Sequence, residues 1–417
     1  MAPKQKSMHS VGLLMEKLLL FTCFFLLGLA GCTTLEQLKS ETRWAINGYE
    51  TNPYKMGPKK PIKIDTREDE LDQYKDIFKF APVLIQLAND NHKRNFITSF
   101  EYDGDQDTSN NWNNLPEGYS LPAILYYSVV ETETHYFMTF LSYHVEDRWE
   151  SSLGSFGNFF LGGSHENDGE NIQLVIKKNE DPDENRIVIA ALQHHLDHHF
   201  YIDPQLGVDL AELNSGGNPY FHYLNNTTLK ILDKRPYLFL EAGKHGLGGN
   251  YKILKDALLD ATGTPGHEIV FWPNNPNKEI PSGEDWQPKI KKYRYGFESI
   301  RFALWERYRK GKDIGDEGIM DGGFEVELQR DEQTCLYREI PRFFNSDRMS
   351  ALFIGKRDAG IMPFYFWEGR LFFDPARNYK NLLKLLNLKQ ENWSECYIYN
   401  PYLPKNFPAV KCFDDNQ

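Results

Sequence analysis

This 417-residue chain lacks the short motifs that would announce a common chemistry. There is no G-x-S-x-G elbow, no P-loop, no G-x-G-x-x-G and no H-E-x-x-H, so nothing points to a serine hydrolase, a nucleotide site or a helix-borne zinc protease. Basic charge is also scarce, with 47 Lys and Arg against 59 Asp and Glu and a net charge of −12. A chain this acidic repels a phosphate backbone, and no stretch interleaves basic with aromatic residues as a nucleic-acid groove does. No nucleic-acid partner is expected. Internal repeats and low-complexity tracts are absent too. What is plentiful is aromatic side chain, 14% of residues, which favours strands over helices.

Only five cysteines are present, and their positions matter more than their number. Lys4, Lys6 and Lys17 precede the apolar run Leu18 to Ala30, which is about half a membrane span and reads as the core of a signal peptide. Leu29-Ala30-Gly31-Cys32 follows at once and resembles the lipobox of bacterial lipoproteins, which implies lipidation of Cys32. The plainer alternative is an ordinary secretory signal with a stray cysteine. Thr33, rather than an aspartate, follows the cysteine, so the resemblance implies outer-membrane rather than inner-membrane sorting. The charged segment before Lys17 is long enough that Met8 or Met15 is a candidate start. Removal of residues 1–31 takes away three lysines and one glutamate, which moves the net charge from −12 to −14. In the mature chain Cys335, Cys396 and Cys412 remain, an odd count that permits one disulfide, with Cys396 to Cys412 the shortest closure, or three free thiols.

After a Pro-, Gly- and Lys-rich tether over residues 32–65, the chain reads as one β-rich domain over 66–417. Thr66 is a plausible N-cap, with Leu71, Tyr74 and Phe78 at helical spacing up to Pro82. Phe96 to Tyr102, Ala123 to Val130, Tyr136 to Tyr143, Ile172 to Ile176, Ile187 to Ile202 and Tyr237 to Ala242 alternate or run apolar as strands do. Strands without interleaved helices predict an antiparallel β-sandwich core over about 80–250. Beyond it, 251–417 reads as helical and loop-rich, with helices over Lys252 to Ala261, Phe297 to Tyr308 and Tyr379 to Leu388. The fold class expected is therefore mainly β with peripheral α-helices, α+β overall. The segments "RLFFDPA" and "YIYNPYLP" read as strand followed by turn.

The segment Gly-Gly-Ser-His-Glu-Asn-Asp-Gly-Glu, 162–170, packs one histidine and three acids against the apolar run Ile172 to Ile176. If 168–176 is one strand, Asp168 and Glu170 share a face with Ile172, Leu174 and Ile176 and so continue a core-facing stripe. Unpaired buried carboxylates cost several kcal/mol each, which a divalent cation offsets, with His165 able to fold back as a third ligand. If the strand begins only at Asn171, the same acids are a solvated loop.

His165-Glu166-Asn167-Asp168-Gly169-Glu170 resembles the H-x-x-D-x-E element of the necrosis-inducing (NPP1-like) proteins and of the related proteins named after vacuolar protein sorting 62. The resemblance covers roughly residues 80–250 and implies a divalent-metal site at the end of a β-sandwich, held by His165, Asp168 and Glu170. It also makes Asp147 or His144, at the end of the preceding strand, a further ligand candidate, and gives weight to His194 or His195 and to His245. Gly169 stands where the family usually has tryptophan, and the full heptapeptide of the toxins is absent, so membrane lysis is not implied.

Three further clusters bear on the same question. Gln193-His194-His195-Leu196-Asp197-His198-His199 would place His194 and His198 one turn apart in a helix, where they could share zinc, but about 13 Å apart in a strand. The flanking apolar runs favour the strand, with His195, Asp197 and His199 on one face and His194 and His198 on the other. Lys244-His245 sits in a glycine turn after an apolar strand. Asp103, Asp105 and Asp107 alternate as in the first half of a calcium loop, but Thr108 and Asn114 break the EF-hand pattern, so the choice is a calcium loop of another kind or a solvated turn. Taken together, these features predict a lipid-anchored cell-envelope protein holding a divalent cation, calcium or magnesium ahead of zinc. Its role would be binding or structural, with a glycan or lipid headgroup as ligand. The alternative is a metal-dependent hydrolase with His194 or His245 as acid or base.

Overall fold

A computed structural model describes residues 66–88, 93–104, 111–115, 121–147, 165–195, 197–213, 220–250, 267–274, 290–305, 324–325, 342–343, 370–390 and 392–402. Cys32, the tether and the expected helix Lys252 to Ala261 lie outside these residues, as do Asp105 and Asp107. Helix α1, Arg67–Tyr74, begins where the sequence predicts. Thr66 accepts from the Asp69 amide at 3.1 Å, and the Asp69 carboxylate accepts from the Thr66 amide at 3.2 Å, which satisfies two end donors reciprocally. A 3₁₀ segment, Lys75–Phe80, then leads into Pro82.

The strands are β1 Val83–Ala88, β2 Ile124–Thr132, β3 His135–Asp147, β4 His165–Lys177, β5 Arg186–His194, β6 Asp197–Ile202, β7 Phe221–Tyr223 and β8 Ile231–Leu232. They continue with β9 Arg235–Leu240, β10 Leu247–Gly248, β11 His267–Pro273, β12 Ile290–Ser299, β13 Phe324–Glu325, β14 Arg342–Phe343 and β15 Tyr397–Tyr399. All but the β13–β14 pair belong to one sheet, in the order β10-β9-β1-β11-β12-β2-β3-β4-β5-β6-β7, with β15 beside β2 and β8 beside β9.

The fold is mainly β, as expected, but this is one mixed sheet rather than an antiparallel sandwich. Four of its pairings, β1–β9, β11–β12, β12–β2 and β6–β7, are parallel. The sheet curls so that its first strand lies over β5 and β6. There the Leu247 carbonyl meets His194 Nδ1 at 3.3 Å, and the Gly249 amide donates to Tyr201 Oη at 2.9 Å. Inside the curl, Met138, Phe140, Ile172, Leu174, Leu192 and Tyr201 pack against Leu84, Leu238, Leu240 and Leu247. Full burial of each such aliphatic side chain stabilises by about 1.5–3 kcal/mol.

The outer face of β3–β5 is covered as well. Helix α2, Pro375–Leu385, and the turn before it bring Leu371, Phe372, Tyr379 and Leu383 against Phe137, Tyr143, Val175 and Ala191. Burial on both faces explains why β5 reads as a near-continuous apolar run.

Four local expectations need correction. Ile187 to Ile202 is a hairpin and not one strand: it turns at His195, whose φ of +57° lies in the left-handed region, and pairs His194 with Asp197. Phe96 to Tyr102 is coil and turn, because its backbone groups are spent on loop and side-chain bonds such as Phe100 N–H to Tyr126 Oη. Phe297 belongs to β12, pairing with Leu125, and the helical spacing of Ile300 and Leu304 is met by a π-helical turn over Arg301–Trp305. The "RLFFDPA" stretch is helical over Arg370–Phe373, whereas "YIYNPYLP" does supply strand β15. Cys396 is disulfide-bonded, and its partner lies outside the described residues.

Candidate metal centre

Strand β4 runs through the acids, so Asp168 and Glu170 do continue the stripe of Ile172, Leu174 and Ile176 that faces the inside of the curl. The pairing of β3 with β4 sets His144 opposite Asp168, Ser142 opposite Glu170 and Asp147 opposite His165. His165 thus begins β4, and only its backbone is described. Asp168 is 5% exposed, Glu170 2%, and His144 and His245 not at all.

His245 reaches this end of the sheet from the turn after β9. Its Nδ1 donates to Asp168 Oδ2 at 2.7 Å, and Asp168 Oδ1 accepts the Gly169 amide at 2.9 Å. The His245 ring lies flat against that of His144, with centroids 3.7 Å apart and planes within 2°. Both ring nitrogens of His144 and Nε2 of His245 are buried without a hydrogen-bond partner. Burial first, and then the neighbouring His245, hold His144 well below the usual imidazole range, so it is a neutral ring with a lone pair to offer.

Glu170 is the most frustrated of these groups. Burial pushes its carboxyl far above the normal range, and the negative charges of Asp168, Asp147 and Glu241 push it further, against one opposing hydrogen bond from the His195 amide. Its Oε2 has no partner. A carboxylate buried among three others is expensive unless protonated or neutralised by a cation.

Next to this acidic centre lies a second grouping that is more open to solvent. His194 ends β5, His195 occupies the hairpin turn and Glu241 follows β9, and these three each offer a ligand atom within 4.8 Å of the others. His195 Nε2 and Glu241 Oε2 are 2.9 Å apart. Burial alone would lower the His195 pKa and raise that of Glu241, but the bond and the opposite charge outweigh it, so His195 is raised and Glu241 lowered. Gly246 makes the approach possible: a Cβ there would stand 2.9 Å from His194 Nδ1 and 3.1 Å from the His195 ring.

From His194 the imidazoles continue in a row. The His194 and His199 rings meet edge to face at 5.4 Å. His199 Nδ1 and His222 Nε2 are 2.9 Å apart in rings parallel within 6°. A centroid separation of 5.2 Å is what two coplanar rings joined end to end by one N–H···N bond give. Burial, then the charge of His222, brings His199 down to about 4. His198 pairs across the hairpin with Gln193, on the other face.

The structure therefore brings together Asp147, Asp168, Glu170, His194, His195 and His245 from the residues the sequence singled out. Asp103 is elsewhere, accepting from Asn114 Nδ2 at 2.6 Å. Glu241, His199 and His222 were missed as partners of the site. Glu241 closes an apolar strand in an ordinary way, and nothing in its sequence neighbourhood marks it. His222 stands alone between aromatics, and only the parallel β6–β7 pairing brings it to His199.

No family model matches this chain, and no curated protein matches it. Among solved structures it is similar to the non-toxic HaNLP3 protein, at 17% identity over 47% of this chain and 75% of that one, with a TM-score of 0.25. It is similar to NLPPya in complex with mannosamine, at 13% identity over 46% and 72%, TM-score 0.26. A third is Necrosis and Ethylene inducing Protein 2 from the causal agent of cocoa's witches' broom disease, at 14% identity over 59% and 81%, TM-score 0.23. Scores this low carry no argument about activity, which rests on the chain's own geometry.

Proposed function

We propose that this is a cell-envelope protein, lipid-anchored through Cys32 at the outer membrane, that holds a hard divalent cation at the buried end of β3 and β4 and uses the loops so ordered to bind a hydroxyl-rich ligand such as a glycan or a lipid headgroup. The observation that carries the reading is Glu170, whose buried carboxylate has an unpartnered oxygen and three further carboxylates in its field. Asp168, Glu170 and Asp147 would supply oxygen ligands, with the neutral His144 or the Nε2 of His245 as a nitrogen donor. Carboxylate-rich donor sets suit calcium, magnesium or manganese rather than zinc. When bound, the cation would supply the positive charge that offsets the three carboxylates and would hold in place the loops that carry them. The chain's own part is to hold the acids in register and to keep water out: the Asp168 to His245 hydrogen bond fixes one carboxylate and ties the β9 turn to β4.

A lipidated, disulfide-bearing protein suits the oxidising side of a membrane, and the disulfide at Cys396 supports that location. The metallohydrolase alternative needs a coordination position open to substrate. Burial of Asp168, Glu170, His144 and His245 favours an enclosed ion at the acidic centre and so the binding role. The test is calcium, magnesium and manganese titration of the chelator-treated chain by calorimetry, with Asp168→Asn and Glu170→Gln alongside, followed by a saccharide panel including mannosamine and glucosamine with and without the cation. One cation bound by wild type, lost in both variants, and saccharide binding that needs it are the expected results. No heat of binding for any of the three ions would sink the proposal.

A further inference from the structure

We propose that His194, His195 and Glu241 form a second metal position, distinct from the acidic centre, that takes a borderline transition ion of the Zn²⁺ class and leaves a coordination position facing solvent. The donor set is the first argument. Two imidazoles and one carboxylate match the open, three-ligand sites in which a water completes the coordination of zinc, whereas the neighbouring acids match harder ions. Two positions of unlike hardness, side by side, sort two ions by chemistry.

Geometry is the second argument. At about 2.0–2.1 Å from one tetrahedral ion, two ligand atoms stand roughly 3.3 Å apart, a few tenths of an ångström beyond the hydrogen-bonded separation of 2.9 Å between His195 Nε2 and Glu241 Oε2. His194 completes the set within 4.8 Å. A carbonyl only accepts, so the contact from Leu247 at 3.3 Å places the proton of a neutral His194 on Nδ1 and the lone pair on Nε2. Metal-bound histidines are oriented in this way, by a carbonyl or carboxylate on the other nitrogen. Two segments far apart in the chain, 194–195 and 241–246, build the group, and glycine at 246 leaves room for both rings where they stand.

Exposure is the third. Both histidines are half-buried while Glu241 is buried, so the site has a floor and an entrance. That distinguishes it from the acidic centre, where Glu170 is 2% exposed. The inference does not rest on the function proposed above, since neither position supplies a ligand to the other.

The full chain, stripped with chelator, is titrated with Zn²⁺ and separately with Ca²⁺ and Mn²⁺. His194→Asn, Glu241→Gln and Glu170→Gln are compared with wild type. Co²⁺ loading gives a second readout, because its visible bands report imidazole ligation directly. We expect one Zn²⁺ per chain, weakened in His194→Asn and Glu241→Gln by more than the roughly 10–100-fold that a change outside the ligand set costs. Both variants should keep the wild-type melting temperature to within a few degrees and any Ca²⁺ or Mn²⁺ binding. Glu170→Gln should retain Zn²⁺ and the Co²⁺ spectrum. Zn²⁺ binding that is untouched in His194→Asn and Glu241→Gln overturns the proposal, as does Zn²⁺ binding abolished by Glu170→Gln alone or absent from wild type. Absence of Ca²⁺ and Mn²⁺ binding from wild type, with Zn²⁺ bound, overturns only the acidic-centre reading.

Discussion

His245 donates to Asp168 across 2.7 Å although 77 residues separate them, and neither side chain is more than 7% exposed. That bond joins the turn after β9, near one edge of the sheet, to the first residues of β4 in its other half, where the acids collect.

Removing one of those acids should have opposite effects on the empty and the loaded protein. Glu170→Gln replaces a carboxylate crowded by Asp168, Asp147 and Glu241 with a neutral isostere. In chelator at pH 7.5 the variant is expected to melt at or above the wild-type temperature. Saturating Ca²⁺ or Mn²⁺, at about 100 times its dissociation constant, should stabilise wild type by about 2.7 kcal/mol and leave the variant unmoved. Scanning calorimetry with and without cation checks both halves.

The two glycines flanking β10 should differ in their tolerance of a methyl group. In Gly246→Ala the new Cβ meets the imidazoles of His194 and His195, which can rotate away. In Gly249→Ala it meets the Thr228 carbonyl at 2.6 Å and the Tyr201 ring at 2.8 Å, where backbone must move. We expect Gly246→Ala to cost about 1 kcal/mol and to spoil transition-metal binding, and Gly249→Ala to cost about 3 kcal/mol. Denaturant titrations of both variants, with equal slopes, give the comparison; equal costs would contradict it.

His135 provides a pH dependence remote from the metal centre. It is buried at the start of β3, with Nδ1 2.8 Å from Thr134 Oγ1 and its ring 4.2 Å from that of Trp393. Burial, aided by Lys177 and Lys178, brings it down to about 3. The folded value is depressed, so between its ordinary value of 6.5 and about 3 the unfolded chain takes up a proton that the folded chain does not. Stability from this group is complete above pH 6.5 and falls as pH falls, by about 2 kcal/mol at pH 5. His135→Phe should remove that part of the acid destabilisation, seen as a shallower loss of unfolding free energy between pH 7 and pH 5.

The capping box offers a control for the fold. Thr66→Ala removes the acceptor of the Asp69 amide and should cost about 1 kcal/mol without touching metal binding. A change in Ca²⁺ or Zn²⁺ affinity in this variant would show that the metal measurements report general loosening.

What the sequence determined by itself was local. Thr66 with Asp69 specified the start of α1, and the alternation of Ile172, Leu174 and Ile176 extended upstream placed Asp168 and Glu170 on the inner face of β4. Those patterns have periods of a few residues, and the physics that sets them acts over the same range. The rest depended on pairings between distant segments. Nothing near residues 267–299 says that β11 and β12 insert between β1 and β2, and parallel insertion is what turned an expected sandwich into one curled sheet. The histidine segment shows the same limit: its apolar flanks favoured strand correctly, but one left-handed residue, His195, folded it into a hairpin and set His194 and His199 on a common face. Glu241 became a partner of His195 only because β9 crosses to the end of the sheet where β5 turns. Side-chain chemistry is written in the sequence, and the curl of the sheet decided which of those side chains meet.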